Sequence, residues 1–201
     1  MKLMMAAPSP FVRKVRVMLR EADMADQVEE IEVIASPAGP SDDLIAANPL
    51  GKIPALVRDY GPTLYDSRVI CRFLDDRGDA GLYPQARLWE VLTLEATADG
   101  MMDAAVLMVY ESRFREEQQR SQTWLEGQWA KVVRALDALE NRWMSHLAGP
   151  VDMGQIALGC ALSYLDFRHE ARNWRDAHPN LAAWFAEFDS RESMAATQPS
   201  G

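Results

Sequence analysis

The spacing of apolar residues along the chain changes character near residue 80. Before that point, short apolar runs of strand length alternate with segments in which apolar residues recur at helical spacing. The strand-like runs are residues 2–7, 28–35, 53–59 and 63–65, and the helical segments are 10–22, 41–48 and 66–78. This order, βαβ followed by ββα, predicts a small α/β domain.

Strand signals almost disappear after residue 85. The pattern there predicts an all-α domain of four helices, at residues 86–113, 119–147, 153–170 and 180–192. Gly, Asp and Pro concentrate at residues 78–84, so we expect one domain at 1–77 and a second at 84–201. Asp152 and Gln155 have the spacing of a capping box at the third of these helices. The tail, residues 196–201, is expected to be frayed.

Composition narrows the classes of partner. The formal net charge of -9 argues against a nucleic acid or an anionic membrane as a partner. No apolar run has the length to span a bilayer, and the N-terminal segment makes a poor signal peptide, so we expect a cytoplasmic protein. Cys71 and Cys160 lie in apolar helical patterns without metal-site spacing, which favours buried thiols and no metal site.

The start of the first helix carries unusual charge. Arg13, Lys14 and Arg16 occupy its first turns, although a helix N-terminus is itself partly positive. They either face an anion bound from outside or meet the acidic remainder of the chain. Ser9 precedes Pro10 and has two roles open to it, as an ordinary N-cap or as a hydroxyl that donates to a ligand. A hydroxyl can accept and donate at once.

A second candidate segment is "NPLGKIPAL", residues 48–56. Pro54 stands where a strand begins and has no N–H for a ladder, so the Ile53–Pro54 bond is a candidate cis peptide. A cis bond would turn the N–H and C=O of Ile53 toward an extended ligand that pairs as an added strand. The alternative is an edge strand that starts with a trans proline.

A third segment, "YDSRV", ends a strand and begins a helix. Either Asp66 or Ser67 can cap that helix. If Ser67 is the cap, Asp66 is available to accept from an ammonium group, while Ser67 and the first helical amides meet a carboxylate. Together they would hold an α-amino-acid head group. The alternative is an ordinary cap beside a solvated carboxylate.

The order and spacing of several segments resemble the glutathione transferase superfamily. They are "SPFVRKVRV", "NPLGKIPAL" and "LYDSRVICRFLDD" in the first domain, and "IALGCALSYLDFR" and "HPNLAAWFAEFDSRESMAATQP" in the second. The resemblance covers nearly the whole chain. It implies a thioredoxin-like N-terminal domain followed by an all-helical C-terminal domain, with glutathione as co-substrate.

The resemblance also implies roles for single residues. The hydroxyl of Ser9 would face the glutathione sulfur, and the remaining matches would bind the tripeptide: Phe11, Lys52 near the glycyl carboxylate, Ile53 and Pro54 at the cysteinyl part, and Asp66 and Ser67 at the γ-glutamyl head. Tyrosine-type members carry Tyr near residues 5–7, where this chain has Met5, Ala6 and Ala7. No cysteine lies near Ser9, so disulfide-forming members also match poorly, and the chain looks like a serine-type member.

The function implied is conjugation of glutathione to a hydrophobic electrophilic small molecule, with the second substrate undetermined, by a homodimer involved in detoxification. The alternative is a non-catalytic glutathione-binding or protein-interaction module on the same scaffold. Glu95, Asp99 and Asp103 recur every four residues on one helix. They form either a solvated acidic face or, since the family's dimer packs this helix near its partner's ligand site, a contact across the two-fold axis.

Overall fold

The computed structural model describes residues 1–200, which form two compact units. The first contains Met1–Leu88 together with residues 192–200, and the second is Trp89–Arg191. The sequence-based division into 1–77 and 84–201 stays a prediction. The fold class is confirmed: a small N-terminal sheet domain of the thioredoxin-like type is followed by a mostly helical region.

The first unit is built on a three-stranded sheet. Its elements are β1 Lys2–Met5, α1 Pro10–Glu21, β2 Glu29–Glu32, β3 Ala35–Ser36, β4 Gly39–Pro40, α2 Asp42–Ala47, β5 Ala55–Val57 and α3 Ser67–Gly78. The strand order is β2-β1-β5, with β1 parallel to β2 and antiparallel to β5. The strand expected at 63–65 is reduced to one antiparallel bridge between Leu64 and Leu56. The β3–β4 hairpin begins at the end of the strand-like run 28–35 and extends through residues to which the apolar spacing assigned no element.

Helix α1 is buried on more sides than its apolar spacing indicated. Val12, Val15 and Leu19, which recur at helical spacing in this segment, are buried, but Arg13 and Lys14 are buried too. A cause is that α1 packs against both α3 and α9, Glu192–Ala195. A helix with two packed faces buries part of its polar side as well.

The chain end is tied to α1. The Arg13 guanidinium donates to the Met194 carbonyl at 3.0 Å and to the Thr197 hydroxyl at 3.4 Å. Thr197 is only 1% exposed, so the prediction of a frayed tail is wrong for this residue. Gly201, also part of that prediction, lies outside the described residues.

The second unit is helical. Its helices are α4 Leu88–Phe114, α5 Gln122–Arg142, α6 Met144–Leu147, α7 Met153–His169 and α8 Pro179–Asp189. Leu88 itself belongs to the first unit. The segment expected as one helix at 119–147 is divided into α5 and α6. Within residues 1–200, none of the helices combines the length and apolar character needed to cross a bilayer.

Helix α7 is almost entirely buried between its neighbours. A Cβ on Gly154 would lie 2.9 Å from Leu94 Cβ and 3.0 Å from the Val91 carbonyl oxygen, so only glycine allows α4 to approach this closely. The predicted capping box is confirmed. Asp152 Oδ1 accepts from the Gln155 amide at 3.2 Å, and Gln155 Oε1 accepts from the Asp152 amide at 2.8 Å.

Asp152→Ala should lower the free energy of unfolding by about 2–3 kcal/mol, because it removes a buried, charged N-cap whose donors then lose their acceptor. Urea unfolding followed by circular dichroism measures this. Ser121→Ala is the matched control, since Ser121 caps α5 in an exposed position, and it should cost about 0.5–1 kcal/mol. Equal losses in the two variants would contradict the importance of burial at the α7 cap.

Candidate functional site

The sheet topology brings the three candidate segments to one end of the sheet in the first unit. Strand β1 ends at Met5 and leads to Ser9, and its antiparallel neighbour β5 begins at Ala55, directly after Pro54. The chain then pairs back on β5 through Leu64 and continues to Asp66. Because antiparallel neighbours begin and end at opposite ends, all three segments meet at the same end of the sheet.

Ser9 is the N-cap of α1. Its backbone is extended, at φ -78° and ψ 122°, and its Oγ accepts from the Val12 amide at 3.3 Å. Pro10 follows as the first helical residue. The contact uses a lone pair of the hydroxyl, and no residue among 1–200 accepts its proton in a hydrogen bond. Ser9 therefore caps the helix and can still donate to a ligand.

The basic residues of α1 do not line a ligand site together. Arg16 Nε donates to Glu30 Oε1 at 2.8 Å, and Arg13 holds the chain end. Lys14 is fully buried. The sequence left two roles open for these residues, to face an anion bound from outside or to meet the acidic remainder of the chain. Arg16 has the second role, because it contacts an acidic group within the chain. The positive charge at this helix start is therefore used mainly within the fold.

The loop before β5 is closed by a buried asparagine. Asn48 is 2% exposed; its Nδ2 donates to the Lys52 carbonyl at 2.8 Å, and its Oδ1 accepts from the Leu50 amide at 3.1 Å. The Ile53–Pro54 peptide bond is cis, which confirms the prediction. The Lys52 side chain is exposed, whereas Pro54 is buried.

Asp66, not Ser67, is the N-cap of α3. Its Oδ1 accepts from the Arg68 amide at 3.1 Å, while the Arg68 side chain donates through Nη2 to Oδ2 at 2.7 Å and through Nε to Oδ1 at 3.3 Å. Ser67 begins the helix and is 2% exposed. The arrangement with Ser67 as cap and an uncommitted Asp66 is therefore wrong. The Tyr65–Asp66 bond is also cis.

The charge of the Asp66 carboxylate is stabilised by its neighbours. Partial burial, the largest single influence, raises the pKa of Asp66, but the hydrogen bonds and positive charge of Arg68 together lower it below its usual value. The charge of buried Lys14 lowers this pKa further. Asp66 is therefore ionised at neutral pH and presents a carboxylate at the site's edge.

Arg68 was not assigned to the site from the sequence, and Lys14 was considered there only as a residue that faces an anion at the start of α1, not as a neighbour of Asp66. Arg68 lies two residues after the cap, and its amide and side chain both reach the Asp66 carboxylate. Lys14 follows Phe11 by three residues and precedes Met18 by four, which is the spacing of one helix face. Phe11 itself lies in the first turn of α1 and is partly exposed.

The acidic residues of α4 belong to the second unit and are mostly buried. Glu95 is 1% exposed and Asp99 7% exposed, whereas Asp103 is exposed. The interpretation as a solvated acidic face is therefore wrong for the first two. Cys71 and Cys160 are buried as expected. Within residues 1–200, no group of three or more His, Cys, Asp or Glu side chains could hold a metal ion.

Models of two known domains match this chain. The model described as "Glutathione S-transferase, N-terminal domain" matches residues 8–77, and that described as "Glutathione S-transferase, C-terminal domain" matches residues 122–187. The uncharacterized GST-like protein YibF of Escherichia coli (strain K12) is 34% identical over 205 residues, which cover 99% of this chain and 98% of that protein.

Solved structures extend the comparison. A glutathione transferase family member from Pseudomonas fluorescens Pf-5, with bound glutathione, is 45% identical, with a TM-score of 0.97 over 100% of this chain and 99% of that one. A glutathione S-transferase from Methylobacillus flagellatus KT, also with glutathione bound, is 36% identical, with a TM-score of 0.89 over 99% of both chains. The likeness in both cases spans the two units of this chain.

Arg68→Gln should raise the pKa of Asp66, since it removes the guanidinium that holds the carboxylate ionised while the effect of burial remains. The carboxyl carbon of Asp66, followed by NMR as pH is lowered, should titrate at a higher pH than in the unaltered protein. Arg77→Gln, at the other end of α3, is the control and should leave this midpoint in place. A midpoint that does not move in Arg68→Gln would show that the ion pair does not set this pKa.

Proposed function

Because the chain belongs to the glutathione S-transferase family, we propose that it binds glutathione, stabilises the thiolate and conjugates it to a hydrophobic electrophile. The observation that carries this proposal is the state of Ser9. Its oxygen accepts from the first turn of α1 while its proton has no acceptor among residues 1–200. The relatives from Pseudomonas fluorescens and Methylobacillus flagellatus, solved with glutathione, support the choice of thiol.

The energy needed for thiolate formation is within reach of this site. A thiol with a pKa of about 8.5 is mostly protonated at neutral pH. Lowering that pKa by about two units takes roughly 2.7 kcal/mol. One hydrogen bond to a charged group contributes about 1.5–3 kcal/mol, and a helix N-terminus about 0.3–1 kcal/mol. Ser9 and the start of α1 would therefore suffice without a general base.

The rest of the tripeptide would bind across the end of the sheet where the three segments meet. In this proposal the backbone of Ile53 pairs with the cysteinyl part, and the exposed Lys52 reaches the glycyl carboxylate. Phe11 and Pro54 contribute contacts from α1 and the start of β5.

The γ-glutamyl ammonium would join a carboxylate that already has partners. Asp66 accepts from the amide and the side chain of Arg68, but an ionised carboxylate offers about four acceptor positions, so an ammonium can bind beside them. Ser67 and the first amides of α3 would meet the γ-glutamyl carboxylate. Asp66 thus acts as cap and ligand contact together.

Assembly and location complete the proposal. The chain would work as a cytoplasmic homodimer with a role in detoxification. In such a homodimer, the exposed α4 side chains Trp89 and Leu107, 76% and 42% exposed, would be available for contact with the second copy.

The proposed activity is tested by titrating the protein with glutathione and then offering it several classes of electrophile. Saturable binding with conjugation of at least one class is the expected result. Binding without turnover on any class would favour the non-catalytic alternative, and absence of binding would overturn the proposal.

Ser9→Ala should raise the pKa of bound glutathione by on the order of one to two units, because the thiolate loses its hydroxyl donor. The ultraviolet absorbance of the thiolate, recorded against pH, measures this. Ser9→Thr keeps a hydroxyl that can cap and donate, and its titration should stay near that of the unaltered protein. If bound glutathione titrates at the same midpoint in Ser9→Ala as in the unaltered protein, Ser9 acts only as a helix cap.

Asp66→Asn should weaken glutathione binding roughly ten- to a hundredfold, because a charge-assisted contact worth about 1.5–3 kcal/mol is lost. The thiol pKa should barely change, since Asp66 would meet the far end of the tripeptide. Calorimetry gives the affinity, and Asp76→Asn, exposed further along α3, is the control. If Asp66→Asn bound glutathione as tightly as the control, Asp66 would have no part in recognition.

A further inference from the structure

The last residues of the chain, 192–200, belong to the first unit, although the residues before them form the second. Their short helix α9 packs against α1, the helix that Ser9 caps. Met194 is completely buried and Thr197 is 1% exposed. None of these terminal residues is among the proposed glutathione contacts, so any effect that they have on the site must pass through α1.

The C-terminal end of α9 has carbonyl groups that its own helix leaves without partners. Thr197 Oγ1 donates to the Ser193 carbonyl at 2.8 Å, and the Met194 carbonyl accepts from the Thr197 amide at 3.2 Å. Arg13 adds two contacts from α1. Its Nη2 donates to the same Met194 carbonyl at 3.0 Å, and its Nε donates to Thr197 Oγ1 at 3.4 Å. The Thr197 hydroxyl thus donates within the chain end and accepts from α1 at once.

The contact with the chain end accounts for an arginine so near the start of α1. A positive charge there is unfavourable for α1 itself, because a helix N-terminus is partly positive. At the end of α9 the same charge meets carbonyl oxygens. Arg13 is only 2% exposed, so water does not readily replace these partners, and breaking the contact is costly.

Arg13 is also bonded to Ser9 through the backbone. The Arg13 amide donates to the Ser9 carbonyl at 3.0 Å, and the Val12 amide donates to Ser9 Oγ at 3.3 Å. The Ser9 amide in turn donates to the Ala6 carbonyl at 3.1 Å. Arg13 therefore joins the two ends of the chain, because its side chain holds the C-terminal segment and its amide holds the serine.

A second contact fastens the other end of α1. The Ser193 hydroxyl donates to Glu21 Oε1, and Glu21 is the last residue of α1. Ser193 is 6% exposed, so this contact is also largely shielded from water. The chain end thus holds α1 near its first turn and at its last residue, which restricts both translation of the helix and rotation about its axis.

We propose that the chain end positions Ser9: Arg13, held by Met194 and Thr197, fixes the first turn of α1 and with it the direction of the Ser9 hydroxyl. The inference rests on the proposed function, in which this hydroxyl donates to the glutathione thiolate. A hydrogen bond weakens steeply as its angle deteriorates, so a less well directed hydroxyl stabilises the thiolate less. Arg13 and Thr197 are positioning residues, since they act through Ser9.

The first measurement is made without glutathione, by amide hydrogen exchange followed by NMR, which reports on each turn separately. Thr197→Val removes the hydroxyl and nearly keeps the side-chain shape. The Val12 and Arg13 amides should then exchange at least about tenfold faster, because a hydrogen bond to a charged group is lost. The Ile70 amide, which bonds to the N-cap carbonyl of α3 as the Arg13 amide does in α1, should keep its rate. Thr197→Ser retains the hydroxyl and should restore the original rates.

The second measurement is the ultraviolet titration of bound glutathione. Thr197→Val should raise the pKa of the bound thiol by on the order of 0.5–1 unit, less than Ser9→Ala does, because the serine hydroxyl remains. In the double variant, Ser9→Ala with Thr197→Val, the titration should match that of Ser9→Ala alone, since Thr197 acts through the serine. Thr97→Val is the matched control. The Thr97 hydroxyl also donates to the carbonyl four residues earlier, at 2.8 Å on α4, and its removal should leave the thiol pKa unchanged.

Circular dichroism checks that the variants fold. If Thr197→Val does not fold, Arg13→Lys takes its place, because a lysine lacks the planar donors that reach Met194 and Thr197 together. The Val12 amide should then exchange faster, and the thiol pKa should rise as expected for Thr197→Val.

Unchanged exchange at Val12 and Arg13, or exchange that rises equally in α3, would overturn the proposal. An unchanged thiol titration in Thr197→Val, or a further rise when Thr197→Val is added to Ser9→Ala, would do the same. If Ser9→Ala itself does not move the titration, the role of Ser9 in the proposed function is wrong. The exchange rates, measured without glutathione, separate that failure from a failure of the chain end to hold this turn.

Discussion

A helix N-terminus leaves its first backbone N–H groups without partners inside the helix, and the way this chain satisfies them organises both units. At α7 the N-terminus is buried, so the donors must be met by the protein itself. Asp152 and Gln155 do so reciprocally, and the second oxygen of Asp152 lies 2.9 Å from His146 Nε2. With that end closed, α7 can be buried among its neighbours.

The same requirement has a different outcome in the first unit. Ser9 caps α1 and Asp66 caps α3, but both side chains are at least partly exposed and lie where the chain leaves the end of the sheet. Each cap uses part of its hydrogen-bonding capacity for the helix and keeps the rest. A buried cap therefore serves folding alone, whereas a solvent-exposed cap at the end of the sheet can also recognise a ligand.

Much of the fold could be predicted, because helical spacing and the positions of Gly and Pro are local signals. The helices and the capping box at Asp152 follow from such signals. The burial of Lys14, Glu95 and Asp99 could not be predicted, since a charged side chain in a helical pattern normally marks a solvated face. For Lys14, burial follows from the packing of α1 against both α3 and α9, which a single sequence does not reveal.

The positions of the site residues could be predicted from the sequence, but the hydrogen-bond partners of Asp66 could not. Asp66 and Ser67 are both good N-cap residues, so the local sequence allowed either arrangement. The choice of Asp66 brings its carboxylate to the amide and guanidinium of Arg68, a contact that became clear only from the three-dimensional structure.

Glutathione carries two carboxylates and one ammonium, and with its thiolate formed it has a net charge of -2. A chain of net charge -9 repels such a ligand at long range, but charges more than about 8 Å apart are largely screened at physiological ionic strength. Recognition must therefore come from groups in direct contact, and that is why the orientation of two helix caps matters more for this site than the overall charge of the protein.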